Sequence, residues 1–137
     1  MLAAEPPASA ATALAALNPA SAQEALAELS EDERSAILGA APPELGRQWQ
    51  RNAAYPSGTV GRLMEPAYAV FSPAMSVGEA IEQLRALVRT VFVTYGYVED
   101  GEGRLVGVVT MRDLLFNEHD ALLRDVMLKD VFFFAPD

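Results

Sequence analysis

A helix-start signal recurs every 12 residues in the first third of the chain. Each copy has an apolar residue followed by Asn-Pro, Ser-Glu or Pro-Pro, and the copies are residues 17–19, 29–31 and 41–43. Asn18 is a typical N-cap before Pro19, and Ser30 and Glu33 have the S-x-x-E spacing of a capping box. A 12-residue period leaves room for one short helix and a turn. The repeat therefore predicts an array of short helices that bury apolar surface only by stacking.

Alanine and the aromatic residues divide the chain into two parts. Of 24 alanines, 17 lie in residues 1–54, whereas ten of the 11 aromatic residues lie from Tyr55 onward. Alanine favours helix and aromatic residues favour strand, so we predict an α+β protein. Residues 1–11 are rich in Ala, Pro and Ser without periodicity and are predicted to be disordered. The helical domain then covers residues 12–54, and the turn-forming residues 55–61 are predicted to be a linker.

Residues 62–137 alternate between strand and helix patterns. Strands are predicted at 68–71, 91–98 and 105–109, with helices at 76–87 and 110–116 and a hairpin turn at 99–103. This order is βαββα. A further segment follows at 122–127, and residues 131–134 are predicted to begin another strand. A single unit of this kind should leave a sheet edge and the apolar helix face of Ile81, Leu84 and Leu87 uncovered.

Composition excludes several classes of function. The chain has no cysteine and one histidine, His119, which rules out disulfides, thiolate sites and an HExxH zinc site. A net charge of −9 would repel phosphate backbones, so no nucleic acid partner is expected. There is no signal-like start or long apolar run, which favours a cytosolic chain. Without a nucleophile–base pair or metal cluster, we expect no enzymatic activity.

Three minor features are better explained by structure than by chemistry. The glycines at 101, 103 and 107 approach a dinucleotide fingerprint, but they lie between two strands, which favours a hairpin. The acidic residues at 99, 100 and 102 match no EF-hand spacing and are interpreted as solubilising charge. His119 lies in a polar cluster and is interpreted as a solvated surface residue.

Thr110 and Asp113 form the strongest candidate site. They stand where a strand gives way to a helix, with the carboxylate three residues after the hydroxyl. One interpretation is an N-cap in which Thr110 binds the Asp113 amide. The other is a ligand site, because this spacing sends both groups to one side, where they could hold a ribose diol while free helical N–H groups attract phosphate.

The second part resembles a CBS (cystathionine-β-synthase-type) motif. The resemblance rests on the βαββα order and on the segment Gly-Val-Val-Thr-Met-Arg-Asp at 107–113. Together with Tyr55-Pro56 and Gly-Arg-Leu-Met at 61–64, it is closest to the first CBS motif of MgtE-type magnesium transporters. The Ala/Leu array resembles the end of the helical N domain of that family. The resemblance covers residues 12–137.

The resemblance implies specific ligands for specific residues. In CBS motifs the Ser/Thr and Asp bind the ribose of adenine nucleotides, which would be Thr110 and Asp113 here. By position, Tyr95 would stack on the base and Arg112 would face phosphate. The equally weighted alternatives are an ordinary strand-face aromatic for Tyr95 and a surface ion-pair former for Arg112. The family also implies a transmembrane transport domain of the same chain as a partner. In the family a second CBS motif covers the open helix face, and without it the uncovered face and the apolar residues 131–134 predict a homodimer through the CBS motif.

Magnesium is the second ligand that the resemblance implies. The family presents an acidic run toward the metal, whereas residues 20–24 here read Ala-Ser-Ala-Gln-Glu, so only Glu24 keeps a carboxylate. Ser57 and Gly58 likewise stand where the family has acidic residues. Because hard cations require several oxygen ligands, we expect a weak or incomplete magnesium site.

The resemblance as a whole implies a regulatory fragment of a magnesium ion transporter. It would lie at the cytoplasmic face of the cell membrane and gate transport by sensing magnesium, with ATP as a further ligand. Two alternatives remain open: a stand-alone CBS sensor of adenine nucleotides, and a dimerisation module without a ligand.

Overall fold

The structure is a computed structural model that describes residues 5–137. It contains two compact units, one comprising the described residues up to Pro66 together with Phe134–Asp137, and the other Ala67–Phe133. Within the described residues, no helix has the length and apolar character needed to cross a membrane.

The helical unit contains four short helices that begin 12 residues apart. They are α1 (Pro7–Ala15), α2 (Pro19–Glu28), α3 (Glu31–Ala40) and α4 (Pro43–Ala53). The predicted array is therefore confirmed, and the repeat extends one period further toward the N-terminus than the sequence analysis placed it. Side chains from all four helices form one buried core that includes Leu14, Leu26, Ile37 and Trp49.

Helix α1 corrects the prediction of disorder for residues 7–11. Pro7 occupies the first helical position, where its missing N–H costs no hydrogen bond, and the alanines that follow have high helix propensity. Ala10, Ala11 and Leu14 are buried in the helical core. Packing against the other helices therefore stabilises a helix that would be marginal alone. The part of that prediction that concerns residues 1–4 lies outside the described residues.

The predicted caps of the helical unit are present. The Asn18 side chain accepts a hydrogen bond from the Ser21 N–H at 2.9 Å. Ser30 and Glu33 form the reciprocal capping box at the start of α3. The hydroxyl and then the backbone N–H of Ser30 donate to the Glu33 carboxylate and lower its pKa below the usual 4.5.

Residues 60–64 are held within the helical unit. Val60–Leu63 form a 3₁₀ turn. The Asn52 side chain, which is buried on α4, donates to the carbonyl oxygen of Met64 at 2.7 Å. The Gly61 N–H donates to the Pro136 carbonyl oxygen, also at 2.7 Å. These bonds explain why the division between the units falls after Pro66, downstream of the linker predicted at 55–61.

The second unit has the predicted βαββα order. Its elements are β1 (Val70–Phe71), α5 (Val77–Leu87), β2 (Tyr95–Glu99), β3 (Leu105–Thr110), α6 (Met111–Phe116) and α7 (Leu123–Val126). The sheet order is β1-β2-β3, with β1 parallel and β3 antiparallel to β2. The predicted fold class, a short helical array followed by a βαββα unit, is therefore confirmed.

The apolar face of α5 does not remain open, contrary to expectation. Leu84 is buried, and Ile81 and Leu87 pack against the core formed by residues such as Val98 and Val109. The face is covered because α5 connects the parallel strands β1 and β2. This connection places the helix against the sheet to which both strands belong.

Two strand predictions also differ from the structure. Strand β2 begins at Tyr95 rather than at 91, because the Val91 N–H still bonds the Leu87 carbonyl in the turn that ends α5. Residues 131–134 form no strand. The outer edge of β3 is already engaged by an antiparallel bridge between Val108 and Leu128, and Phe134 belongs to the helical unit. An apolar run needs an available strand edge to become a strand.

Candidate nucleotide-binding site

Thr110 ends β3 and caps α6. Its hydroxyl accepts from the Asp113 N–H at 3.2 Å and donates to Asp113 Oδ2 at 2.8 Å. Asp113 Oδ2 also accepts from the Thr110 N–H at 2.8 Å. The sequence-predicted cap is thus present as a reciprocal capping box. It fixes both side chains in one orientation at the strand–helix junction.

Tyr95 lies directly opposite Thr110 in the antiparallel ladder between β2 and β3. Directly opposed residues project to the same face of a sheet with Cβ atoms about 4.5–5.5 Å apart. Tyr95 is 50% exposed, so its ring is open to a ligand. The structure therefore brings Tyr95, Thr110 and Asp113 together at one end of the sheet, although 15 residues separate Tyr95 from Thr110 in the sequence.

The arrangement leaves the groups that a ribose would need. Asp113 Oδ2 is used by the capping box, whereas Oδ1 has no hydrogen bond to the residues that the structure describes. A carboxylate oxygen and an adjacent hydroxyl oxygen can accept bonds from a vicinal diol. The exposed Tyr95 ring offers a surface on which a planar base can stack.

Phosphate would depend on Arg112 rather than on the helix. Helix α6 has only six residues, and its Asp113 N–H is already bonded to Thr110. The expected attraction of phosphate to free helical N–H groups is therefore weak here. Arg112 is exposed next to Asp113 and forms no ion pair with any described residue, so its guanidinium is available to an anion.

The residues around Glu24 do not fit a magnesium ion. Glu24 is exposed on α2 and lines a cleft of about 290 Å³ that is also lined by Ser57, Gly58 and Arg62. Residues 5–137 contain no group of three or more carboxylate, imidazole or thiol side chains that could hold a metal. One carboxylate beside a cation cannot supply the several oxygen ligands that Mg²⁺ requires.

The minor features of the sequence have structural explanations. Gly103 adopts a φ of 75° in the β2–β3 hairpin, which explains the glycine there. Asp100 Oδ1 accepts from the Glu102 and Arg104 backbone N–H groups, and these bonds, the Arg104 bond first, lower the Asp100 pKa below 3.8. His119 is exposed, as predicted.

Sequence analysis missed a set of buried polar side chains in the helical unit. Gln23, Gln48 and Asn52 are buried, and Gln48 Nε2 donates to Asn52 Oδ1 at 2.7 Å. Gln48 and Asn52 are spaced four residues apart on either side of Trp49, which is a signal for a polar pair on the inner face of a helix.

The fold of the second unit is that of a CBS-type module. Residues 60–120 match the CBS domain family. The βαββα sheet and the Thr–Asp pair at the strand–helix junction lie inside this range, so the second unit carries a CBS motif.

Proteins of similar sequence show which kind of CBS-containing protein this chain is related to. A magnesium transporter MgtE of Thermus thermophilus is 30% identical over 96 residues, which are 69% of this chain and 21% of that protein. The MgtE of Enterococcus faecalis is 32% identical over 76 residues, 53% of this chain and 16% of that protein. The chain thus spans about a fifth of the length of the curated relatives it matches.

Two crystal structures extend the similarity to the helical unit. The soluble part of a magnesium transporter has a TM-score of 0.78 at 27% identity, over 96% of this chain and 52% of that one. The cytosolic domain of the Mg²⁺ channel MgtE in complex with ATP has a TM-score of 0.67 at 27% identity, over 99% of this chain and 66% of that one. The chain therefore has homologues among MgtE magnesium transporters, and its fold is similar to that of the cytosolic domain of MgtE.

Proposed function

We propose that this chain is the regulatory cytosolic part of a magnesium transporter and that it has no enzymatic activity. Two findings support the proposal: the relatives are magnesium transporters, and the neighbouring structures are the soluble or cytosolic parts of such proteins. The chain would act at the cytoplasmic face of the membrane on a transmembrane transport domain of the same protein. It would control transport by changing shape when it binds its ligands.

The ligand that this chain is best equipped to bind is an adenine nucleotide. The main observation in its support is that Tyr95 lies opposite Thr110, while Thr110 and Asp113 are hydrogen-bonded to each other at the junction of β3 and α6. In this proposal Asp113 Oδ1 and Thr110 Oγ1 bind the ribose hydroxyls, Tyr95 stacks on the base and Arg112 faces the phosphates. A related cytosolic domain has been crystallised with ATP.

Calorimetry with ATP, ADP and AMP tests this site. We expect Asp113→Asn to weaken binding about tenfold, because it removes the charge on the free oxygen while its amide oxygen can still accept from the Thr110 N–H. Tyr95→Leu should weaken binding of all three nucleotides, since each carries the same base. Arg85→Gln, an exposed charge change on α5, is the matched control and should bind as the unchanged chain does. Equal heats for the unchanged chain and Asp113→Asn would remove the site.

Magnesium sensing by this chain would require ligands from elsewhere. Glu24 would contribute one oxygen through a water-mediated contact, because Mg²⁺ readily keeps its own water ligands. Further carboxylates would have to come from parts of the parent protein outside this chain or from a second copy. On this view, magnesium gating belongs to the larger assembly, whereas nucleotide binding belongs to the CBS unit.

A stand-alone nucleotide sensor is the second candidate function. Its support is that all four nucleotide-binding residues lie in the CBS unit and that this unit forms a core of its own. The gene sequence that follows the codon for Asp137 distinguishes the two functions. Several encoded membrane-spanning segments there would support the transporter, and their absence would support the sensor.

A further inference from the structure

Arg62 is the one side chain in residues 5–137 with a buried polar atom that lacks a hydrogen-bond partner. That atom is Nε. Its NH1 group reaches only Gln23 Oε1, at 3.5 Å, which is a long and weak hydrogen bond. Guanidinium remains charged at any physiological pH, so a buried donor without a partner is costly. The site is therefore suited to a partner that the chain itself does not provide.

The position of Arg62 is set by its backbone. Its N–H bonds the Thr59 carbonyl in the 3₁₀ turn, and its own carbonyl lies 3.4 Å from Asn52 Nδ2. Arg62 lines two clefts, and Gln23 and Ala27 of α2 also line both of them. Arg62 is thus presented by a fixed turn rather than by a flexible surface segment.

One of these two clefts is also lined by Arg34, whose guanidinium is held by two backbone carbonyl groups. Arg34 Nε donates to the Leu26 carbonyl oxygen at 2.8 Å and its NH2 to that of Leu29 at 2.9 Å, which leaves NH1 for a ligand. The cleft has a volume of about 330 Å³, within the range of small-molecule sites. Its apolar wall is formed by Leu26, Leu38 and Trp49.

The charge of this cleft is opposite to that of the whole chain. The protein carries −9 overall, yet the described residues that line the cleft include two arginines, two glutamines and no carboxylate. Glu24 lines only the neighbouring cleft and forms no ion pair with Arg62 within the described part of the chain. Two guanidinium groups that line one partly apolar cleft without a carboxylate attract an anion.

We propose that this cleft binds a small organic anion that carries a phosphate or carboxylate group on an apolar body. The anionic group is held by the guanidinium groups of Arg62 and Arg34, and the apolar body lies against Trp49 and Leu38. The site belongs to the helical unit and is independent of the nucleotide site on the CBS unit.

The fluorescence emission of Trp49 can report binding in this cleft. Trp49 is the only tryptophan in the chain, it is 4% exposed, and it lines the cleft. We would titrate the full chain with phenyl phosphate and benzoate and follow Trp49 emission. Benzyl alcohol serves as the uncharged analogue, inorganic phosphate as the anion without an apolar body, and sodium chloride controls for ionic strength. Saturable binding of either aromatic anion, tighter than benzyl alcohol and inorganic phosphate, is expected.

Three variants locate the binding. Arg62→Gln should weaken the aromatic anion about tenfold, because a charge-assisted hydrogen bond is lost. Arg85→Gln is the matched charge change outside the helical unit and should have no effect. Ala27→Met should also weaken binding, because exposed Ala27 lines the cleft and a larger side chain fills it without changing any charge.

The outcomes are decisive even if Arg62→Gln folds poorly, because Ala27→Met keeps the guanidinium and favours helix. Tighter binding of phenyl phosphate assigns a phosphate ligand, and tighter binding of benzoate assigns a carboxylate. Emission changes that follow ionic strength alone, or titrations that neither Arg62→Gln nor Ala27→Met alters, would overturn the proposal.

Discussion

The packing of Tyr55 against Gly61 shows at the residue scale why the Gly-Arg-Leu-Met segment begins with glycine. A Cβ added at Gly61 would collide with the Tyr55 ring and lie 2.7 Å from the Pro136 carbonyl oxygen. That same carbonyl accepts the Gly61 N–H. Glycine is therefore required by the close approach of the ring and of the chain terminus, although its φ is not positive.

Gly61→Ala should destabilise the helical unit by about 1–3 kcal/mol, the usual cost of adding a methyl group to a packed site. Thermal or urea unfolding measures this change. Gly39→Ala is the matched control: nothing lies within 4 Å of the added Cβ on α3, so the helix should gain about 0.5–1 kcal/mol. A neutral Gly61→Ala variant would show that the Tyr55 ring moves aside without cost.

At the scale of elements, capping boxes set where the helices begin. Three such boxes start α3, α5 and α6, and each pairs a hydroxyl with an acid three residues later. In α5 the Ser76 N–H donates to Glu79 at 2.7 Å and the Ser76 hydroxyl accepts from the Glu79 N–H. The backbone bond first, and the hydroxyl second, lower the Glu79 pKa below 4.5.

Ser76→Ala should cost about 1 kcal/mol at neutral pH through loss of the cap. It should also reduce the loss of stability in acid. Because the Glu79 pKa is lower in the folded chain than in the unfolded chain, its contribution is present above pH 4.5 and is lost as pH falls through the folded value. Urea unfolding of both proteins from neutral to acidic pH measures the difference.

Ser35→Ala is the matched control for this prediction. Ser35 is exposed within α3 and caps no helix, so its removal should leave the acid dependence unchanged. An identical acid dependence in Ser76→Ala and the unchanged chain would mean that the backbone N–H of residue 76, which alanine keeps, lowers the Glu79 pKa without help from the hydroxyl.

At the scale of the whole molecule, exposed apolar side chains favour self-association. Leu115 and Phe116, at the end of α6, are 76% and 83% exposed. Large exposed apolar side chains in sequence are typical of interaction surfaces. The α5 face is covered in the structure and is therefore no longer a candidate surface for the proposed homodimer. Leu115 and Phe116 are the candidate surface instead.

We expect the chain to sediment as a dimer at micromolar concentration and Leu115→Lys/Phe116→Lys to sediment as a monomer with an unchanged circular dichroism spectrum. Val88→Lys, which changes an exposed apolar residue at the end of α5, is the matched control and should remain dimeric. A monomeric unchanged chain, or a double variant that still dimerises, would contradict this surface.

Magnesium should produce no specific compaction of this chain. Among the described residues that line its cleft, Glu24 carries the only carboxylate, and Arg62 lines the same cleft. Limited proteolysis at residues 55–61, in magnesium chloride and in sodium chloride of equal ionic strength, measures the response. Equal protection is expected, because only charge screening remains. Protection specific to magnesium would mean that Glu24 and nearby carbonyl groups form a site after all.

The local part of this architecture is determined by the sequence itself. The 12-residue repeat predicts the helical array, and the caps at Asn18, Ser30 and Thr110 lie where the pattern placed them. Pro6-Pro7 repeats the later Pro42-Pro43 and signals the first helix, although low complexity led to a prediction of disorder. Such signals are readable because caps and prolines act within one turn of backbone.

Features that depend on contacts between residues far apart in the sequence are decided only by the tertiary structure. The pairing of Tyr95 with Thr110 follows from the register of β2 and β3, and the missing strand at 131–134 follows from the bridge to Leu128 on the edge of β3. The anionic preference of the Arg62 cleft depends on which side chains surround it in the folded helical unit. Register, edge pairing and burial are properties of contacts between remote segments, and a linear pattern does not specify which segments meet.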